Sequence, residues 1–187
     1  EVIVRDEIEA RRAAPSIRYP VAVKVLGPLH RTDVGGVRLG ISTPDELAAA
    51  VRELRPLGEA CLVQPMIEGI EVLVGALRDP ELGPFVLVAP GGVRVELYKE
   101  RAMTPAPCDE AAADGLIRDC RALDGLLGGH RGGRSLDRAA LVDTVVRAAA
   151  LAAGLGPRLA ALDLNPVIVG PPGAGAIVVD ARIILDP

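Results

Sequence analysis

The chain has 187 residues, of which 50% are hydrophobic, and its formal net charge at pH 7 is −4. This length is enough for one domain or for two tightly packed subdomains with a sizeable core. The negative charge argues against a nucleic-acid partner, because binding to a phosphate backbone needs a basic surface. Aromatic residues make up only 2% of the chain, so aliphatic side chains must supply the core, as is common in sheets covered by helices.

Cysteine usage and hydropathy predict a soluble cytoplasmic protein that does not enter a membrane. The three cysteines lack CxxC spacing, so neither a disulfide framework nor a structural zinc site is predicted, and reduced thiols are typical of an intracellular compartment. We recognise no signal peptide and no uninterrupted apolar run long enough to cross a bilayer. A strand-like run follows directly after Glu1, which we interpret as the start of a piece of a longer polypeptide.

Strands and helices alternate in the first third of the chain. Residues 21–26 have the pattern of a half-buried strand in which Lys24 is the only charge. The glycine and proline residues of segment 27–36 predict a loop. Thr43 to Glu46 has the pattern of a capping box with Pro44 at the first helical position. The predicted strands here are 2–5, 21–26 and 37–41, and the predicted helices are 6–15 and 43–55.

The rest of the chain is dominated by strands, with two helices before the last pair. Runs rich in β-branched residues are separated by turns that contain glycine. Because crossover helices are few and several strands are linked as hairpins, an antiparallel-rich α+β arrangement in two lobes is favoured over a doubly wound sheet. The predicted strands are 61–67, 71–77, 84–88, 93–97, 159–169 and 176–185, and the predicted helices are 109–127 and 136–153.

Lys24 and the loop that follows it are candidates for binding phosphate. Lys24 either points to solvent or lies in a cleft, where its ammonium binds a phosphate as a point charge. Gly35 and Gly36 allow backbone N–H groups to approach an anion closely. His30 is a candidate nucleophile toward phosphorus, with Asp33 near enough in sequence to orient the ring. The ordinary alternative for His30 is a solvated surface residue.

The two closing strands carry a group of side-chain oxygens. Asp163 and Asn165 are two residues apart, so they face the same side of a strand. If the last two strands pair, Asp180 comes close to them. Carboxylate and amide oxygens suit Mg²⁺ that is shared with phosphates. A surface hairpin with an Asn-Pro turn explains the same residues equally well.

Taken together and in order, these motifs resemble the ATP-grasp domain of ADP-forming acetyl-CoA and acyl-CoA synthetases, a family related to succinyl-CoA synthetase β-subunits. The resemblance covers nearly the whole chain, and the ordered set of motifs is far more specific than any one of them. The segments that carry it are 19–24 (YPVAVK), 29–37 (LHRTDVGGV), 63–67 (VQPMI), 71–75 (EVLVG), 162–166 (LDLNP) and 179–182 (VDAR).

The resemblance implies an ATP-grasp fold, in which two α+β lobes with mixed or antiparallel sheets grip a nucleotide. Residues 1–68 would form the N-terminal lobe, truncated at its start, and residues 69–187 the C-terminal lobe. The implied reaction joins a small carboxylic acid to CoA at the expense of ATP or another NTP. An acyl phosphate forms, and the phosphoryl group is carried by a histidine.

The resemblance also implies roles for particular residues. Lys24 and His30 would be catalytic, with Lys24 meeting the nucleotide phosphates and His30 carrying the phosphoryl group. The implied nucleotide contacts are Lys24, Gly35, Gly36, Gln64, Met66 and Glu71, and the implied Mg²⁺ ligands are Asn165, Asp180 and Asp163. The implied partners are the CoA-binding domains of the same synthetase, in the same chain or in an α subunit, and the assembly is expected to be an oligomer.

Departures from the family pattern keep two alternatives open. Pro65 stands where the family usually has Glu and removes a backbone N–H near the adenine hinge. Ala89-Pro90 replaces a Gly-rich stretch. Both changes favour a degenerate, non-catalytic regulatory module, such as one fused to a protein acetyltransferase. The second alternative is a succinyl-CoA synthetase β-subunit, and the His30 loop argues against it.

Overall fold

The computed structural model describes residues 1–27, 35–92, 100–129 and 135–186. The chain divides into two compact units, Glu1–Ile67 and Glu68–Pro187. Each unit holds one sheet, and every pairing between the described strands is antiparallel. The α+β class expected from the sequence is therefore confirmed, and the described strands form no doubly wound sheet.

The first unit is a four-stranded sheet with two helices on one face. Its strands are β1 (Val2–Val4), β2 (Val21–Leu26), β3 (Val37–Ile41) and β4 (Ala60–Pro65), in the order β1-β4-β2-β3, and its helices are α1 (Glu7–Ala13) and α2 (Pro44–Leu54). The capping box is present, since Thr43 Oγ1 accepts the Glu46 N–H at 3.2 Å. The Glu46 carboxylate reaches back to the N–H of Ser42 at 2.8 Å rather than to that of Thr43.

The second unit is built on a larger sheet with the order β10-β8-β5-β6-β7, and β9 also pairs with β8. Its strands are β5 (Ile70–Asp79), β6 (Gly83–Pro90), β7 (Ala102–Pro105), β8 (Leu159–Val169), β9 (Ala176–Val178) and β10 (Ala181–Leu185). Its helices are α3 (Glu110–Asp119), α4 (Arg121–Leu127) and α5 (Arg138–Leu155). Val72, Val74 and Ala76 of β5 are buried together with residues of all three helices, so the helices cover one face of this sheet.

Three elements of the second unit differ from the sequence prediction. The expected helix 109–127 is broken at Cys120, and α4 has its own cap, because the Glu100 carboxylate accepts the N–H groups of Arg121 at 2.6 Å and Ala122 at 3.1 Å. Strand β7 was not predicted, and it exists through its pairing with β6. The expected strand 176–185 is divided between β9 and β10. The predicted strand 93–97 lies outside the described residues.

Helix α5 is unusually apolar. With the turn after it, Arg138–Arg158 is long and apolar enough to cross a membrane by length and composition. Charged residues such as Asp143 and Arg147 interrupt the run. Burial explains part of this composition, since 33% of the apolar window is buried and the buried residues form a stripe that packs in the core of the second unit. That stripe consists of Leu141, Val145, Ala148, Ala149 and Ala152.

Asp137 attaches the start of α5 to the turn between β8 and β9. One carboxylate oxygen accepts the N–H of Ala140 at 3.1 Å and so caps the helix. The other accepts the N–H groups of Gly173 at 2.9 Å and Gly175 at 3.0 Å. The Asp137 N–H donates to the Gly170 carbonyl at 2.8 Å. The side chain and the backbone N–H of Asp137 therefore both attach the turn of this hairpin to the start of α5.

Replacement of Asp137 by alanine is expected to lower the melting temperature by several degrees, because three backbone N–H groups lose their acceptor. These hydrogen bonds, chiefly that from Ala140, lower the pKa of Asp137. The stabilisation is therefore fully present above the ordinary aspartate pKa of about 3.9 and is lost as the pH falls through the lower pKa of the folded state. Thermal unfolding at neutral and at strongly acidic pH measures this difference.

The control for this prediction is Asp143→Ala in the same helix. Within the described residues Asp143 pairs with Arg147 alone, at 2.8 Å on the exposed surface, and such pairs contribute little to stability. Equal losses for the two variants, or a loss at Asp137 that does not shrink in acid, would contradict the anchoring role.

Candidate functional site

Lys24 is buried, with only 7% of its surface exposed, and it is the one buried polar or charged residue among those the structure describes. It lies opposite Leu62 of β4 and Val37 of β3. Since Val23 and Val25 fill the core beneath the helices, strand alternation puts Lys24 on the face of the sheet away from them. The interpretation in which Lys24 points to bulk solvent is therefore wrong.

Gln64 lies on the same sheet face, since it is opposite Ala22, two residues from Lys24. Its Nε2 donates to Glu1 Oε1 at 2.5 Å. Its Oε1 is buried and has no hydrogen-bond partner within the described part of the chain. A buried acceptor without a partner is costly, so a donor group on a ligand fits this position. This face therefore carries the Lys24 side chain and, among the described residues, one acceptor without a partner.

Residues 65 and 66, at the adenine hinge that the family resemblance implies, offer no free backbone N–H group. Pro65 has no N–H, and the N–H of Met66 donates to the Pro20 carbonyl at 2.8 Å. The Met66 side chain is 40% exposed. A nucleotide base at this position would therefore rely on side chains and carbonyl groups rather than on the N–H groups of residues 65 and 66.

Hydrogen bonds hold the carbonyl groups of Gly35 and Gly36, and one of the donors, Arg38, is not predicted from the sequence. The Gly36 carbonyl accepts the N–H of Val25 at 2.8 Å, and the Gly35 carbonyl accepts a hydrogen bond from Arg38 Nη1 at 2.8 Å. Arg38 is held in turn by Glu53 of α2, with Nε 3.1 Å from Oε2. This hydrogen-bonded pair raises the pKa of Arg38 and lowers that of Glu53. His30 and Asp33 lie outside the described residues, so their roles stay predictions.

In the second unit, Glu71 and Asp163 lie on the sheet face opposite the helices. Asp163 is opposite Gly75 of β5, and both Glu71 and Gly75 alternate with the buried Val72 and Val74. Glu71 and Gly75 are four residues apart, or about 13 Å along a strand. The two carboxylates thus belong to one face but to different positions along it.

The closing strands pair as predicted, and Asn165 and Asp180 become neighbours. The register of β8 with β5 shifts between Leu164 and Val167, which leaves Asn165 and Pro166 in a bulge. On the other side of β8, the Asn165 N–H donates to the Asp180 carbonyl at 3.1 Å. Asp180 sits at the break between β9 and β10, where its Oδ1 accepts the Ala181 N–H at 3.0 Å.

Two charged side chains, Arg182 and Asp180, lie close enough to Asp163 to affect its pKa. Partial burial raises the pKa of Asp163, Arg182 on the facing strand opposes the shift, and the negative charge of Asp180 adds to it. Among the described residues, no group of three or more His, Cys, Asp or Glu side chains is arranged to hold a metal ion. The candidate set consists instead of two carboxylates and the amide of Asn165. These are hard oxygen donors of the kind that Mg²⁺ takes when phosphates complete its coordination.

The sequence contains a further signal for Lys24 that is visible once its burial is known. Lys24 and Lys99 are the only lysines among 21 Lys and Arg residues. A lysine ammonium binds phosphate as a compact point charge on a flexible stem. Lysine is rare in this chain, so its occurrence in the middle of a strand marks position 24 as a candidate for that role.

A two-unit α+β chain with antiparallel sheets and these side chains has the architecture of an ATP-grasp domain, a class of nucleotide-binding protein. The family model for the ATP-grasp domain matches residues 1–185. The chain belongs to this family, in the group of ATP-grasp domains from ADP-forming acetyl-CoA and acyl-CoA synthetases.

Three relatives illustrate the similarity. The β subunit of the ADP-forming acetate–CoA ligase II of Pyrococcus furiosus is 37% identical over 189 residues, which cover 95% of this chain and 80% of that subunit. The ADP-forming acetate–CoA ligase I of Archaeoglobus fulgidus is 37% identical over 194 residues, 98% of this chain but 28% of that protein. An acetyl-coenzyme A synthetase 1 of Ca. Korarchaeum cryptofilum has been solved with CoA and Mg-AMPPCP, its phosphohistidine segment pointing towards the nucleotide binding site. This chain matches that structure with a TM-score of 0.81 and 36% identity over 99% of its length and 84% of the solved chain.

The relatives differ in how much protein accompanies the matched region. The chain spans four fifths of the separate β subunit and less than a third of the longer ligase. In this family the ATP-grasp domain is therefore one part of a multi-domain or multi-subunit synthetase.

Proposed function

We propose that this chain is the nucleotide-binding part of an ADP-forming acyl-CoA synthetase, which converts a carboxylic acid, CoA and ATP into acyl-CoA, ADP and phosphate. The observation that supports this most directly is the pairing of the closing strands. The backbone hydrogen bond of 3.1 Å between Asn165 and Asp180 brings together two oxygen side chains that are far apart in sequence. Asp163 precedes Asn165 by two residues on β8 and lies opposite Arg182 of β10.

The proposed metal ligands are Asn165, Asp180 and Asp163. Mg²⁺ held there would neutralise charge on the nucleotide phosphates during phosphoryl transfer. Arg182, opposite Asp163, limits the build-up of negative charge at the same place. Glu71 lies on the same sheet face, about 13 Å away along β5, and is the proposed contact to the nucleotide away from its phosphates.

The proposed phosphate and base contacts of the first unit are Lys24 and Gln64, with Met66 beside them. The buried Lys24 ammonium binds phosphate oxygens as a point charge. The unpartnered Oε1 of Gln64 accepts a hydrogen bond from the base. Gly35 and Gly36 complete the nucleotide contacts through their backbone.

The proposed route of the phosphoryl group passes through His30. The acid is activated as an acyl phosphate, and the phosphoryl group moves between that species and the nucleotide on a histidine nitrogen. The partners would be the CoA-binding domains of the same synthetase and a small carboxylic acid. The assembly would be an oligomer in the cytoplasm, which agrees with the free thiols of Cys61, Cys108 and Cys120.

One observation favours a second candidate, a regulatory nucleotide-binding module without catalysis. Neither Pro65 nor Met66 has an N–H available to a base. Weak nucleotide binding without phosphorylation of His30 would support this alternative.

Lys24→Met is expected to weaken nucleotide binding by about tenfold or more, equivalent to about 1.4 kcal/mol. The methionine side chain keeps an unbranched apolar stem among the β2 and β4 side chains but removes the charge. Isothermal titration with Mg-ATP measures the affinity, and thermal unfolding shows that the variant is folded.

The control is Arg12→Met, which removes a cation from the exposed side of α1 and should leave affinity unchanged. If Lys24→Met binds Mg-ATP as tightly as the wild type, Lys24 does not contact the phosphates. If the wild-type protein binds no nucleotide at all, the proposed function itself is wrong.

A further inference from the structure

Gly91 and Gly92 follow the end of β6 and lie directly against Glu71. The Gly91 N–H donates to the Glu71 carbonyl at 2.7 Å, which extends the β5–β6 pairing by one bond. A Cβ added at Gly91 would lie 2.5 Å from the Glu71 carbonyl carbon and 2.7 Å from the Val72 nitrogen. Any side chain at residue 91 would therefore separate the two strands at this end.

Gly92 leaves open the space that the Glu71 side chain occupies. A Cβ added there would lie 2.9 Å from Oε2, 3.5 Å from Cδ and 3.9 Å from Cβ of Glu71. The backbone at Gly92 has a φ of +80°, which L side chains rarely adopt. The glutamate side chain thus runs along the face of a residue that has no side chain of its own.

Within the described residues, the Glu71 carboxylate is not fixed by a polar contact. Glu71 is exposed, and no hydrogen bond or ion pair joins its side chain to another residue of the described ranges. A long side chain with three rotatable bonds loses considerable entropy when it is fixed in one geometry. A side chain at residue 92 would displace the carboxylate from its present position, so glycine keeps that conformation accessible before a ligand binds, and such preorganisation favours binding.

We propose that Gly91 and Gly92 are positioning residues for Glu71, which they hold in the conformation that contacts the nucleotide. Gly91 allows the close approach of the Glu71 backbone, and Gly92 leaves free the position that its carboxylate occupies. This proposal rests on the proposed function, in which Glu71 contacts the nucleotide.

The first test compares two glycines that have the same backbone strain but different surroundings. Gly83 has a φ of +88°, and an added Cβ there would meet nothing within 4 Å. Gly83→Ala therefore reproduces the strain of Gly92→Ala without the contact. With Mg-ATP titrated into the complete synthetase, Gly92→Ala should weaken binding by about tenfold, and Gly83→Ala should change it less than about twofold.

The second test asks whether the effect of Gly92 passes through Glu71. Glu71→Asp shortens the side chain and withdraws the carboxylate from the position that the added methyl group would occupy. In that background, Gly92→Ala should have no further effect on affinity, so the double variant binds like Glu71→Asp alone. A purely structural role for Gly92 would instead produce the same loss in both backgrounds.

Asparagine provides a second pair of variants in case alanine at this position prevents folding. Asn tolerates positive φ better than other residues, so Gly92→Asn adds a Cβ with less strain, and Gly83→Asn is its control. The proposal is overturned if the residue 92 and residue 83 variants lose equal affinity, or if the loss persists in the Glu71→Asp background. If Glu71→Ala alone leaves affinity unchanged while Lys24→Met weakens it, the proposed function stands and the positioning role of these glycines is wrong.

Discussion

His30→Ala is expected to abolish phosphorylation of the synthetase and to reduce turnover by at least about a thousandfold, because the nucleophile that carries the phosphoryl group is removed. Nucleotide binding should remain nearly intact, since the proposed phosphate, base and metal contacts belong to other residues. The measurement is incubation of the complete enzyme with γ-labelled ATP, followed by a search for acid-labile, base-stable label on the peptide that contains His30.

The same enzyme can be labelled from the opposite direction with acyl-CoA and labelled phosphate. Label on His30 from both directions would identify it as the carrier rather than as a side product. His130, the only other histidine, supplies the control, and His130→Ala should label as the wild type does. Normal turnover of His30→Ala would make His30 a bystander. An intact enzyme that binds nucleotide but is never labelled would favour the regulatory module.

The second large effect is expected at the closing strands. Asn165→Ala and Asp180→Ala should each weaken binding of Mg-nucleotide by tenfold or more, or about 1.4 kcal/mol, because each removes an oxygen from the proposed metal site. Calorimetry in the presence of Mg²⁺ measures the loss. In EDTA the variants and the wild type should bind equally weakly, since the lost oxygens act only through the metal.

Asp186→Ala is the matched control for these two variants. Asp186 is exposed, and its N–H bonds to the Arg158 carbonyl at 3.0 Å without help from its side chain. It should keep wild-type affinity. Unchanged affinity of Asn165→Ala with Mg²⁺ would mean that the metal assignment is wrong, and a loss that persists in EDTA would mean that these residues act on the nucleotide directly.

Much of the fold could be predicted because its signals are local. Thr43, Pro44 and Glu46 lie within one helical turn and specify the start of α2 without any tertiary partner. The pairing of the closing strands followed from two β-rich runs joined by a short Pro/Gly turn. The antiparallel, two-lobed class followed from hairpin connections in the same way.

The missed features depend on residues that are distant in sequence. The break at Cys120 is favoured by a cap from Glu100, some twenty residues earlier, and β7 needs β6 beside it. The role of Arg38 becomes visible only when Glu53 is placed next to it by the packing of α2 on the sheet. No local pattern predicts such contacts.

In the candidate site, too, some features follow from local sequence and others depend on residues that are distant in sequence. Asp163, Asn165 and Asp180 were predicted from spacing and family resemblance, whereas the contact between Gly92 and Glu71 needed the register of β5 and β6. The sequence of the Gly91-Gly92 pair indicates a turn, but it does not reveal which strand the pair approaches. His30 stays a prediction from the family pattern.

The burial of Lys24 limits its unwanted acylation by reactive acyl compounds. Acyl phosphates and acyl thioesters modify exposed lysine amines, and an acyl-CoA synthetase would generate both kinds of compound. The chain contains two lysines, and only 7% of the surface of Lys24 is exposed. Arginine, which supplies the remaining basic residues, is far less nucleophilic, because its guanidinium stays protonated. The composition and the fold together therefore leave few amines for unwanted acylation, and they shelter the amine proposed to bind phosphate.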